Sequence, residues 1–163
     1  MKFEDIEPYI VCKAAPLPAE LNGRVSIGFK NVEIHLEEWH VRDNIVSAVA
    51  RRNILQSGLN VVGVHAPLKH DELVNTLIPE VCINSDIRGE VSRTLSLAQD
   101  LADVMKHKVY VVLHSLSSVE LLKQEGQVWD SISNFFLKSI HEYPDVVYTF
   151  ENITPICEVG AFV

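Results

Sequence analysis

Three short runs rich in β-branched residues, VVGVHAP, VYVVLHS and VVYTFEN, constrain this chain more than any other feature, because each reads as a strand, the first with the near-continuous apolar run of one covered on both faces. The stretches between them are long enough for a helix. That pattern predicts βα units repeated around a parallel sheet. Each run gives way to an ionisable residue at its C-terminal tip: His65, His114 and Glu151. Parallel sheets bind ligands at the carboxyl ends of their strands, so the three tips are candidates for one shared site.

The rest of the chain fits the same scheme. Tyr9 to Ala15 is expected to form a first strand, stopped by Pro16 and Pro18, since proline cannot donate to a sheet ladder. Asn31 to Leu36 is expected to form a second, with Glu33 and His35 on one face and Val32 and Ile34 on the other. The short space between them predicts a small helix near Ala19 to Arg24, with a hairpin through Val25 to Leu36 as the alternative. A helix is expected over Val41 to Ser57, burying Ile45, Ala48, Val49 and Leu55, capped by Asp43 and ended by Gly58. Leu68 to Asp86 reads as a long loop with one helical turn around Leu73 to Leu77. Arg88 to His107 carries an apolar stripe of Val91, Leu95, Ala98, Leu101, Ala102 and Met105. Ser117 and Glu120 have capping-box spacing and open a helix that buries Ile132, Phe136 and Ile140, with Gly126 as a break.

The chain has 163 residues, 47% of them apolar, which suits a single domain over residues 1–163. Its 14 Lys and Arg against 22 Asp and Glu give a net charge of −8, which opposes attraction to nucleic acid or to an anionic membrane. The three cysteines, Cys12, Cys82 and Cys157, are odd in number and far apart, as reduced cytoplasmic thiols would be. The first residues, MKFEDIEPYIV, lack the basic start and unbroken apolar core of a secretory signal. Charges or amides interrupt every apolar run before membrane-spanning length. The expected setting is therefore the cytoplasm. No Gly-x-Gly-x-x-Gly, Walker-type loop, Gly-x-Ser-x-Gly elbow or Cys-x-x-Cys pair occurs, which removes the usual support for nucleotide, serine-hydrolase and zinc-ribbon readings.

A lone histidine at a strand end is more often a hydrogen-bonded structural residue than a ligand. Repetition of the position changes that balance. Two imidazoles and a carboxylate converging at one barrel mouth make a reasonable shell for a divalent metal such as Mn, Zn or Mg. Glu33 is a candidate for the substrate side of the site, and a salt bridge to Lys13 or Arg24 explains it equally well. Cys157 has no basic neighbour in sequence to activate it and reads as a packing residue. His40, His70, His107 and His141 fall in loops or at helix ends, where surface roles suffice.

Taken in order, GVHAPL (Gly63 to Leu68), SDIR (Ser85 to Arg88), VVLH (Val111 to His114) and FENI (Phe150 to Ile153) resemble the xylose-isomerase-like barrel superfamily over roughly Asn31 to Thr154. That group includes sugar isomerases and epimerases and the metal-dependent apurinic endonucleases. The resemblance implies an incomplete TIM barrel, about five of its eight strands, because a full barrel takes about 250 residues. It implies Glu151 as a metal ligand that also serves in proton transfer, and His65 and His114 as metal ligands or as residues lining the substrate site. It implies a small sugar or sugar phosphate as substrate, and proton transfer next to a carbonyl as chemistry. Ligands from the sixth to eighth strands have no counterpart, so weak or absent metal occupancy is expected. A homodimer covering the open edges is the expected assembly. The alternatives are a phosphodiesterase of the endonuclease branch and a non-catalytic half-barrel acting as an interaction module.

Overall fold

The computed structural model describes residues 10–67, 85–114 and 127–151. Five strands make one sheet: β1 (Val11–Ala14), β2 (Asn31–His35), β3 (Asn60–His65), β4 (Val109–His114) and β5 (Val146–Glu151). They lie side by side in chain order, and each pairs parallel with its predecessor. Helices α1 (Pro18–Ser26), α2 (Glu38–Val41), α3 (Asn44–Ser57), α4 (Ser85–Met105) and α5 (Gln127–Glu142) alternate with them. This is an α/β fold of parallel βα repeats, consistent with five strands of a TIM barrel.

The parallel pairing of β1 with β2 excludes the hairpin alternative, and α1 supplies the short crossover. Pro18 starts α1, where a missing N–H costs nothing. Leu21 anchors the helix in the core, while Arg24 Nε donates to the Lys13 carbonyl at 3.0 Å. In β4 the two-residue period separates buried Val109, Val111 and Leu113 from Tyr110 and Val112 on the other face. Val109, Val111 and Leu113 meet the long stripe of α4, where Ile87, Val91, Leu95, Ala98, Leu101 and Ala102 are all buried. Each large side chain buried here contributes about 1.5–3 kcal/mol. Helix α4 begins three residues earlier than the apolar stripe alone suggests and stops at Met105, because Lys106 turns left-handed at φ 61°.

Two helical expectations are corrected. The helix anticipated over Val41 to Ser57 is two helices, broken at Arg42 and Asp43, where extended Asp43 caps α3 by accepting from Val46 N at 2.9 Å. Its buried side is Ala50 and Ile54, whereas Ile45 is 78% exposed. Two polar anchors select that face. Asn53 Nδ2 donates to the Pro16 carbonyl at 3.1 Å, and Arg51 Nε meets Asp100 Oδ2 at 3.0 Å, turning the Ala50–Ile54 side inward between them. In α5, Ile140 is 49% exposed and Ser139 is buried beside it, with its hydroxyl donating to the Phe135 carbonyl at 2.8 Å. Phe136 instead packs edge-on against Tyr148 and Phe150 of β5. The turn around Leu73 to Leu77, the Ser117–Glu120 capping box, Gly126 and the side chain of Ile132 lie outside the described residues. No helix among the described residues is long and apolar enough to cross a membrane.

Candidate active site

The face of the sheet opposite the α4 stripe is built in rows. Strand register aligns Lys13, Glu33, Gly63, Tyr110 and Val147 across all five strands. A step further toward the carboxyl ends, His35 pairs with His65, His65 with Val112, and Val112 with Thr149. The last aligned pair is His114 with Glu151. A register irregularity between Val32 and Glu33 places Glu33 opposite Gly63.

The first row is held by one carboxylate. Glu33 is buried, its Oε1 lies 2.9 Å from Lys13 Nζ, and its Oε2 accepts from the Tyr110 hydroxyl at 2.7 Å. To reach Glu33, the Tyr110 ring crosses β3 at Gly63, where a Cβ would lie 2.6 Å from ring Cδ2 and closer still to Cε2 and Cζ. Glycine at 63 is a requirement of that crossing. Burial raises the Glu33 pKa, but the Tyr110 hydroxyl and Lys13 outweigh it and hold the carboxyl below its ordinary value. Burial, then the bond to Glu33, pushes the Tyr110 hydroxyl up. The Lys13 pairing is thus the plain structural account of Glu33, while Arg24 is engaged elsewhere.

The second row reaches the carboxyl end. His65 Nε2 lies 3.2 Å from Glu151 Oε2, and His65 Nδ1 lies 3.3 Å from the Ala66 carbonyl. These residues belong to strands separated by β4, which in a flat sheet would stand about 10 Å apart. The two side chains together bridge that distance over β4. His65 is 5% exposed and the Glu151 side chain 52%, so one partner is fixed in the wall and the other faces outward. Both ring nitrogens of His65 face oxygen acceptors. With Nδ1–H directed at the Ala66 carbonyl, the Nε2···Oε2 contact is favourable when the pair holds a proton between them. An imidazole and carboxylate so placed can take up and release a proton at one point.

His35 stands beside this pair, its ring centroid 5.2 Å from that of His65. Burial, then the neighbouring His65, lowers its pKa, against the opposing pull of Glu37, whose Oε1 is 3.6 Å from His35 Nε2. These effects together favour the neutral form of His35.

Of the residues singled out from sequence, the structure brings His65 and Glu151 together and puts Glu33 one row deeper in the same wall. His114 closes β4 in register with Glu151, and its side chain lies outside the described residues. Among the described residues no group of three or more His, Cys, Asp and Glu side chains could hold a metal ion. Tyr110 and Gly63 were not singled out, although counting back in twos from His114 and His65 leads to both. His40, expected at the surface, is buried. Its Nδ1 accepts from Glu37 N at 2.8 Å and closes the cap of α2, and burial lowers its pKa.

No family model matches the sequence, and no curated protein matches it. Among solved structures, a xylose isomerase domain protein from Planctomyces limnophilus is similar at 14% identity and a TM-score of 0.39. That similarity covers 86% of this chain and 62% of the other, so the chain spans less than two thirds of that protein's length.

Proposed function

We propose that this chain carries the acid–base centre of a sugar or sugar phosphate isomerase or epimerase. The single observation supporting this is the His65–Glu151 contact of 3.2 Å at the carboxyl ends of β3 and β5. Glu151, the more exposed partner, takes the proton from the carbon next to the substrate carbonyl. His65, anchored through Nδ1, stabilises the protonated carboxyl and helps return the proton to the neighbouring carbon, as isomerisation requires; epimerisation would take its proton from a donor on the substrate's other side. His35, adjacent to this pair, is placed to hydrogen-bond a sugar hydroxyl.

The same donors suit a divalent metal. Two bonds of about 2.1 Å meeting at about 109° put ligand atoms about 3.4 Å apart, close to the His65–Glu151 spacing. His65 and Glu151 would hold Mn, Zn or Mg together with His114, and the ion would polarise the substrate oxygens. The partner in this reading is a second copy of the chain, covering apolar Val147 and Phe150 on β5, which are exposed.

The test is exchange of carbon-bound hydrogen in deuterated water, followed by proton NMR with keto-sugars and their phosphates, with and without added Mn, Zn or Mg. Exchange by the wild type, reduced about a hundredfold or more in Glu151→Gln and His65→Asn, is expected. Exchange that survives Glu151→Gln, or none with any sugar, refutes the assignment. Native mass with elemental analysis reads metal content and copy number on the same sample.

A further inference from the structure

On the helical side of the sheet, away from the His65–Glu151 pair, α3 and α4 leave a groove of about 340 Å³ between them. Asn44, Ser47 and Arg51 line it from α3, and Arg93, Ser96 and Asp100 from α4. Both guanidiniums are half-buried: Arg93 Nε donates to the Val41 carbonyl, while Arg51 forms an ion pair with Asp100, its Nε 3.0 Å from Oδ2 without a hydrogen bond between them. The tie to Val41 restrains the Arg93 guanidinium and the ion pair restrains that of Arg51, and each keeps its Nη hydrogens as further donors. Among the described residues, the Ser47 and Ser96 hydroxyls make no hydrogen bond, so they add two more donors to the same space. Two arginines against one aspartate make the groove locally positive in a chain whose formal net charge is −8.

We infer that this groove between α3 and α4 binds a phosphate group carried by a small molecule. A phosphate presents only acceptors, and a pair of guanidinium forks matches its oxygens in a way that single-point ammonium groups do not. Because the arginines are ordered before anything binds, less rotamer entropy is lost on binding. The volume lies at the lower end of small-molecule sites, which run from about 300 Å³, enough for a phosphate and a short organic group. The site is independent of acid–base chemistry on the other face of the sheet, since the sheet lies between them.

Calorimetric titration of the full chain at fixed ionic strength tests this, with inorganic phosphate and glycerol phosphate as probes and glycerol and sodium chloride as controls. Both phosphates are expected to bind at one per chain, and the controls not at all. Tighter binding of the ester identifies a phosphomonoester as the ligand, and tighter binding of inorganic phosphate identifies the free ion. Arg51→Gln and Arg93→Gln should each weaken binding about tenfold or more, the loss of one charged hydrogen bond. Because Arg93 also ties α4 to Val41, the paired variant Ser47→Ala with Ser96→Ala supplies a check that leaves that tie in place; it should weaken binding without lowering the melting temperature. Glu151→Gln should bind phosphate as the wild type does, which separates this site from the proposed active site. Absence of binding at millimolar phosphate, or binding unchanged in both arginine variants, overturns the inference.

Discussion

Replacing Gly63 by alanine should destabilise the protein through a single ring. The strand backbone at 63 accepts alanine, and the smaller unfolded-state entropy of alanine favours the variant by about 0.4–1 kcal/mol. Against this stands the Tyr110 ring, whose Cδ2 would sit 2.6 Å from the new Cβ, roughly an ångström inside normal contact. Overpacking of this kind costs about 1–3 kcal/mol. The ring relieves it by lifting away, which breaks the 2.7 Å bond to Glu33 and forfeits about 1.5–3 kcal/mol for a hydrogen bond to a charged group. The two costs are alternatives in part, since the movement that ends the overlap is the one that breaks the bond. A net loss of about 1–3 kcal/mol follows. Urea unfolding followed by circular dichroism measures it, and a double-mutant cycle isolates its origin. In a Tyr110→Ala background the obstacle is gone, and Gly63→Ala should become neutral or slightly stabilising. Equal destabilisation in both backgrounds would refute the reasoning.

Glu33 links stability to acid pH. Its folded pKa is depressed below the ordinary 4.5, so its contribution is fully present above that value and is lost as pH falls through the folded pKa. Wild type should lead Glu33→Gln in urea stability at pH 7 and lose that lead in acid. Lys13 is largely exposed, so Lys13→Ala should cost less than about 1 kcal/mol, well below Tyr110→Phe. Burial, then Tyr143 and Glu142, pushes the Tyr148 hydroxyl up to about 12, so the ultraviolet phenolate titration should lose a step near there in Tyr148→Phe. Ile54→Ala should cost about 2–5 kcal/mol in thermal or urea unfolding, while Ile45→Ala, nine residues earlier on the same helix, should change stability by less than about 0.5 kcal/mol.

What the chain disclosed in advance depended on how many solutions each pattern allowed. A run such as VYVVLHS has one sensible use, and its period of two fixes which side chains share a face, so the sheet and the alignment of its tips were legible. The α4 stripe was equally unambiguous because its other side is polar. Helix α3 carries two apolar stripes, Ile45–Ala48–Val49 and Ala50–Ile54, and the choice between them was made by Pro16 and Asp100, which are remote in sequence. Proximity of His65 to Glu151 followed from strand order and from their place at the strand ends, whereas the Tyr110 crossing depended on a missing side chain at Gly63, a signal carried by what the residue lacks. His40 was misjudged because position near a helix end says nothing of depth; its ring is turned inward to complete the α2 cap.

The simple strand order has a consequence for synthesis. Since every strand lies next to the one made just before it, each newly emerged βα unit finds its docking edge already in place on the ribosome. None of the five described strands is inserted between two earlier ones, so assembly can proceed by accretion at a single advancing edge.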